Sequence, residues 1–464
     1  MFRSITPGIA VAVALSASAC SPGLVGANRD AYLNYRQVTQ EPSFALRPAV
    51  TTESATLPES PTLDDYLTVA LTRNPGLRQA RLEAEASGHA IAQITGLPDP
   101  QVGFVPPTGD LIQTAAGQID SSIGISQQIP FPGKLYVRGK AAAHAAAATR
   151  EAYRSSRLQL IADVRRAYYM LYFADRAIEI TSKSRGLLRD FRSIAARKYE
   201  AGKVPQQDVL RAQVELANLE NELLTLSRTR RTARARLNRL MSYPAGRPLP
   251  PTPPIRAKQV EITLDDLLVA ASVHSPDIAA ARQRLGQSRE AATLAKLDYL
   301  PDITLGYQHT RISDDGISPV ADGDDSWQLR VGLTIPIWME RLSAGTRAAD
   351  AKLEASRDAL TATHDTTAFR IEESLLRVET EQRLTALFGE VILPQARQTL
   401  DATISAYRAG QVDFLTFIEN WRRLLEFEIS YEKSLSAFEQ ELAELERLVG
   451  QSVEARIGAR GEGS

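Results

Sequence analysis

The chain of 464 residues contains one thiol, Cys20, and it directly follows the small residues Ala17-Ser18-Ala19. That arrangement is where signal cleavage exposes a cysteine for acylation, and a lone cysteine has no disulfide partner in an oxidising compartment. Ser21 stands where an aspartate would retain such a lipoprotein, which implies delivery to the outer membrane. The histidines His89, His144, His274, His309 and His364 are scattered singly, without metal-ligand spacing. Asp64-Asp65 and Glu372-Glu373 read as a helix start and a solvated helix face rather than as a catalytic pair. Four methionines, Met1 included, do not support thioether-rich copper handling. There is no phosphate loop, no dinucleotide glycine motif, no CxxC and no HExxH. The expectation is a protein without a cofactor, a resident metal or an enzymatic activity.

What remains is architecture. Arg3 precedes an apolar run from Ile9 to Ala19 that is too short to span a bilayer, so 1–19 reads as a lipoprotein signal peptide and 20–60 as an N-terminal extended segment. With 54 basic against 55 acidic residues the chain has no bulk charge to recruit nucleic acid. No later stretch approaches the ~20 apolar residues of a transmembrane helix, so a mature chain that crosses a membrane must use strands.

The chain repeats one plan. Thr62-Leu63-Asp64-Asp65 and Thr263-Leu264-Asp265-Asp266 each place a capping hydroxyl before two acids at a helix start. Tyr199-Glu200-Ala201-Gly202 is matched by Tyr407-Arg408-Ala409-Gly410, at an offset close to that of the two helix starts. The expected division is a first repeat over 61–243, a Pro-rich linker over 244–260, a second repeat over 261–450 and a flexible tail over 451–464. Each repeat is expected to run helix, β-hairpin, two long helices. Residues 134 to 199 lack proline, which allows roughly 100 Å of helix at 1.5 Å per residue. Leu216, Leu219, Leu223, Leu226, Ala233, Leu237 and Leu240, with Arg230 as an interruption, form a heptad-like stripe, as do Phe427, Tyr431, Leu435, Phe438, Leu442, Leu445 and Val449.

Ile303 to Tyr307 and Leu329 to Ile335 alternate apolar with small or polar residues, Ile123 to Ser126 begins similarly, and Gln101 to Val105 is a weaker fourth strand. Four strands cannot close a barrel, and open edges are not tolerated in hydrocarbon, so strands must be pooled between chains; three copies give about twelve. The competing reading is a periplasmic coiled-coil lipoprotein adaptor or scaffold with a soluble sheet. The two differ in the strand faces, because a duct needs an apolar face flanked by interfacial aromatics such as Tyr307, Trp327 and Trp338.

Gln127-Gln128-Ile129-Pro130-Phe131-Pro132-Gly133-Lys134 and Gly332-Leu333-Thr334-Ile335-Pro336-Ile337-Trp338 resemble the proline-marked strand-to-helix transitions of the TolC-type outer-membrane efflux family, and the turns at Tyr199 and Tyr407 resemble its periplasmic helix tips. The resemblance covers roughly residues 60 to 450 and is greatest for lipoprotein channels of tripartite resistance-nodulation-division systems, the heavy-metal branch included. It implies a fold of mixed α and β type: a homotrimer with a twelve-stranded β-barrel and a helical coiled-coil tunnel. It also implies a lipid-anchored place in the outer membrane, a periplasmic adaptor and an inner-membrane pump as partners, and passive export of metal ions or drugs. In the family, acids after the second Tyr-x-x-Gly turn form the narrowest ring of the periplasmic gate. Those positions fall on Thr416 and Glu419, of which only Glu419 is acidic, and Asp413 is the next candidate. The family's closing tie of tyrosine, aspartate and arginine maps onto Tyr407, Asp208 and Val412, which leaves Arg408 as the candidate substitute for the arginine.

Overall fold

A computed structural model describes residues 57–106, 113–314 and 322–452. Cys20 and the anchor it implies lie outside these residues. The first repeat comprises α1 (Leu63–Arg73), α2 (Pro75–Thr95), β1 (Gln101–Val105), β2 (Gln113–Thr114), β3 (Gly117–Ile129), α3 (Lys134–Glu200) and α4 (Gln206–Leu240). The second comprises α5 (Leu264–His274), α6 (Pro276–Leu297), β4 (Asp302–Ser313), β5 (Ser326–Thr334), α7 (Met339–Ala386), a π-helical segment (Leu387–Ile392), α8 (Leu393–Ala409) and α9 (Phe414–Val449). Among the described residues no helix is long and apolar enough to cross a membrane.

The single first helix expected in each repeat is two helices. Asn74-Pro75 and Ser275-Pro276 break it, since proline disfavours a helical residue before it while suiting the first turn of a new helix. Asn74 bridges its break: Oδ1 accepts from Leu77 N at 3.0 Å and Nδ2 donates to the Leu240 carbonyl at 2.9 Å. The helix starts are capped as the sequence suggests, by Thr62 over Asp65 and by Thr263 over Asp266.

Two compact bodies divide the described residues, one holding 83–149 and 281–360 and the other 57–82, 150–280 and 361–452. Both repeats contribute to each body, so the duplication is one of chain order and not of separate globules. In the first body the strands form an antiparallel sheet in the order β1-β3-β4-β5, with β2 pairing on β3. The sheet's central pair, β3 with β4, joins one hairpin to the other. Lys134, the first residue of α3, anchors the sheet's base: Nζ donates to Asp302 Oδ1 at 2.8 Å and to the Leu300 carbonyl at 2.9 Å, and the same Asp302 oxygen accepts from Phe131 N. The turn that allows this is Pro130 to Gly133, between the end of β3 and the start of α3, with Gly133 at φ +99°. Pro336 occupies the equivalent place between β5 and α7.

In the second body each repeat packs a core of its own. Tyr66, Val69 and Ala70 of α1 meet Val164, Tyr168 and Leu171 of α3 and Leu237 of α4. Leu267, Ala270 and Ala271 of α5 meet Ile371 and Leu375 of α7 and Leu442 and Leu445 of α9. Arg230, the interruption in the α4 stripe, donates to buried Asp175 at 2.5 Å, and Asp175 also accepts from Thr252 N at 3.0 Å. The interruption thereby fastens the linker, which is packed down at Leu249 and Thr252.

Candidate functional site

Two regions carry the residues singled out above: the faces of the sheet and the helix turns at Gly202 and Gly410. On the sheet, the register sorts side chains cleanly because successive residues of a strand point to opposite faces. One face aligns Val102 with Ile125, Tyr307 and Leu329, and Phe104 with Ile123, His309 and Trp327; Leu305 with Val331 and Ile303 with Leu333 continue it. The other aligns Gln101 with Ser126, Gly306 and Arg330, Gly103 with Gly124, Gln308 and Gln328, and Val105 with Ser122, Thr310 and Ser326. The apolar face is open, with Val102 67% and Trp327 69% exposed and Phe104, Ile123, Leu329, Val331 and Leu333 also on the surface. Trp338, just beyond β5, is exposed as well.

At the turns, both helices end in the same way. Gly202 N–H donates to the Tyr199 carbonyl and Lys203 N–H to that of Lys198; Gly410 N–H donates to the Tyr407 carbonyl and Gln411 N–H to that of Ala406. These paired bonds require a left-handed residue just past the helix, supplied at φ +68° by Gly202, two positions beyond α3, and at +77° by Gly410, directly after α8. The Tyr-x-x-Gly repeat in the sequence is therefore a helix stop, with the tyrosine in the last turn. The tyrosines themselves differ: Tyr199 is 44% exposed and Tyr407 is 1% exposed.

Tyr407 sits in an aromatic nest. Its ring lies 5.6 Å from Phe414 and 6.0 Å from Phe417, and Phe417 stacks on Phe191 at 4.0 Å between centroids. Lys198 crosses from α3, with Nζ 4.2 Å above the Tyr407 ring and 2.5 Å from the Tyr407 carbonyl oxygen, a place suited to a cation because a helix C-terminus carries partial negative charge. Among the described residues the Tyr407 hydroxyl finds no hydrogen-bond partner, and neither does the indole N–H of buried Trp421. Burial, and then the charge of Asp208, pushes the Tyr407 hydroxyl up to about 12.

Asp208 lies in the first turn of α4. Burial raises its carboxyl above the ordinary value, Arg211 opposes the rise and Asp413 adds to it. Asp413 caps α9, accepting from Thr416 N at 2.9 Å and Thr416 Oγ1 at 2.6 Å, and those bonds hold its carboxyl below the ordinary value. Asp413 and Thr416 are thus engaged with one another. Glu419 is exposed, as is Arg408. The arginine that acts on both Asp208 and Asp413 is Arg211, and the sequence signal for it was its place three residues after Asp208 on one helix. Lys198 and the aromatic nest also escaped the sequence reading, although Phe414, Phe417, Ile418 and Trp421 carry helical spacing and extend the α9 stripe upstream of Phe427. Among the described residues no three His, Cys, Asp or Glu side chains gather in a way that could hold a metal ion.

Known proteins resemble this chain in sequence and in fold. The sequence model of the family described as outer membrane efflux protein matches residues 67–242 and 267–451. The cobalt-zinc-cadmium resistance protein CzcC of Cupriavidus metallidurans is 21% identical over 405 residues, covering 84% of this chain and 90% of CzcC. The toluene efflux pump outer membrane protein TtgF of Pseudomonas putida is 25% identical over 295 residues, 60% of each chain. Among solved structures, CusC superposes with a TM-score of 0.73 at 17% identity, over 88% of this chain and 96% of CusC. VceC of Vibrio cholerae superposes with 0.70 at 20% identity, over 84% and 96%. A mostly helical chain with a small antiparallel sheet is the fold of these channels. With nearly four-fifths of the chain matched in two successive stretches, this protein belongs to the outer membrane efflux protein family.

Proposed function

We propose that three copies of this chain form the exit duct of a tripartite efflux pump, a twelve-stranded barrel in the outer membrane continued by a helical coiled-coil tunnel. A periplasmic adaptor and an inner-membrane pump of the resistance-nodulation-division type deliver the cargo, and acylated Cys20 adds a lipid anchor. The observation that carries this reading is the sheet: one face is apolar and open, the other is mostly glycine, serine, threonine and glutamine with Arg330 and Val105 among them, and both edge strands, β1 and β5, lack a second neighbour among the described residues. In hydrocarbon such edges must pair, and β1 of one copy meeting β5 of the next closes three sheets into one barrel. A soluble scaffold would instead need its apolar face covered.

CzcC is named for cobalt, zinc and cadmium and TtgF for toluene. The cargo proposed here is correspondingly metal ions or drugs, chosen by the pump rather than by the duct. The helix turns at Gly202 and Gly410 form the periplasmic gate, closed around Tyr407 and Asp208, with Glu419 of three copies supplying an acidic ring that prefers cations and binds divalent ions. Purified protein should run as a particle of three protomers by mass and conduct in planar bilayers, with divalent block lost in Glu419→Ala. A one- or two-protomer particle, or one without conductance, would overturn the duct; unchanged block in Glu419→Ala would remove only that residue from the gate.

A further inference from the structure

The charged residues of the described strands are Asp120, Asp302, Arg311 and Arg330. Asp302, at the base of β4, is neutralised by Lys134 at 2.8 Å. Asp120 falls in the irregularity between Ile119 and Ser121, and Arg311 lies near the other end of β4, pairing with Ser121. Arg330 alone stands in the middle of the ladder on the polar face. Its row reads Gln101, Ser126, Gly306, Arg330, without an opposite charge. Gly306, directly across from it, has no side chain, and a Cβ placed there would lie 3.6 Å from the Cβ atoms of both Arg330 and Ser126. Arg330 therefore has no side chain directly opposite it on β4, and it is exposed.

We infer that Arg330 is an anion-binding residue of the barrel lumen, where three guanidinium groups at one level form a ring that takes multivalent anions, carboxylates or phosphates by class. The inference rests on the proposed trimeric barrel. A charge in mid-strand facing lipid costs about 2–4 kcal/mol, so the face that carries Arg330 is the one turned to water, in agreement with its Gly, Ser, Thr and Gln neighbours. Threefold symmetry repeats the residue at equal height. Rings of arginine select anions, and the planar fork of each guanidinium fits the two oxygens of a carboxylate. Salt screens the guanidinium charges beyond roughly 8 Å, so the ring acts on multivalent anions, which each guanidinium attracts several-fold more strongly than it does chloride. Its sign is opposite to that of the acidic ring proposed at the helix turns, which gives the duct two filters of opposite charge in two different parts of the chain.

The test is single-channel recording of the purified trimer in planar bilayers, with citrate as the probe added from the hairpin-loop side. Citrate should block the wild-type pore, the half-blocking concentration should rise about fivefold or more in Arg330→Gln, and Arg330→Lys should keep most of the block because it keeps the charge. Arg311→Gln, on the opposite face, should leave the block unchanged. Equal citrate block in wild type and Arg330→Gln, or an equal loss in Arg311→Gln, would overturn the inference while leaving the duct in place. Failure of the wild type to form any pore would overturn the barrel and the ring with it.

Discussion

At the scale of single residues, Asp208 and Asp413 titrate in opposite senses within one turn region. Burial, with the Asp413 charge adding and Arg211 opposing, raises the Asp208 carboxyl above its ordinary 3.8. An acid whose pKa is higher folded than unfolded gives stability that is full below the unfolded value and is lost as the pH rises through the folded value. Asp413 is held lower by its bonds to Thr416, so its cap is intact above the ordinary carboxylate range and is lost only as the pH falls through that depressed value. Mild acid should therefore tighten the turn through Asp208 while the cap on α9 survives. Hydrogen exchange of peptides covering 199–214, corrected for intrinsic rates, should slow in the wild type as the pH falls from neutral through the raised Asp208 value. In Asp208→Asn that slowing should vanish, and an identical pH slope in the variant would dismiss Asp208 as its source.

At the scale of elements, glycines inside helices tell packed faces from free ones. Gly186 in α3 has nothing within 4 Å of where a Cβ would stand, whereas a Cβ on Gly286 in α6 would meet the His144 ring of α3 at 2.7 Å. The His144 ring is held there by Gln283, with Nδ1 to Oε1 at 2.8 Å. Gly186→Ala should raise helix stability by about 1 kcal/mol from propensity alone. Gly286→Ala must displace the ring and should cost about 1–3 kcal/mol as an overpacked contact. Thermal unfolding of the two variants side by side checks both signs, and a stabilised Gly286→Ala would mean that α6 and α3 pack less closely than described. Much of this scale was legible beforehand. Thr before Leu-Asp-Asp announced two capped helices, and the Tyr-x-x-Gly repeat announced two helix stops, because caps and left-handed glycines are local chemistry. The breaks before Pro75 and Pro276 were equally local and were passed over. The π-helical Leu387–Ile392 was not legible: a Cβ placed on Gly389 there would lie 3.1 Å from the Tyr431 ring, so the segment packs against a neighbour in α9 that spacing along the chain does not reveal. The same holds for Lys198 over Tyr407, a contact between residues 209 positions apart.

At the scale of the whole molecule, period-two alternation identified both sheet faces and the family resemblance supplied the assembly, while the pairing of β3 with β4 across the two repeats came only from the fold. The N-terminal anchor proposed at Cys20 belongs to this scale because it would act on the assembled particle. Labelled palmitate should enter the wild type and be absent from Cys20→Ala, and equal incorporation would end the anchor. Since acyl chains contribute ~0.8 kcal/mol per buried methylene and the barrel would hold the trimer independently, Cys20→Ala should retain part of its efflux.

The unpaired edges of β1 and β5 bear on how fast such a duct can appear. A lone protomer would expose two open ladders to lipid, so its insertion is uphill until partners arrive, and the rate-limiting encounter involves more than one copy. The yield of finished ducts then climbs more steeply than in proportion to the amount of protein made. On the proposed assembly, a cell that expresses little of this chain would own almost no pores, and a modest rise in transcription would bring them on abruptly, giving efflux the character of a threshold set by the rate law of assembly.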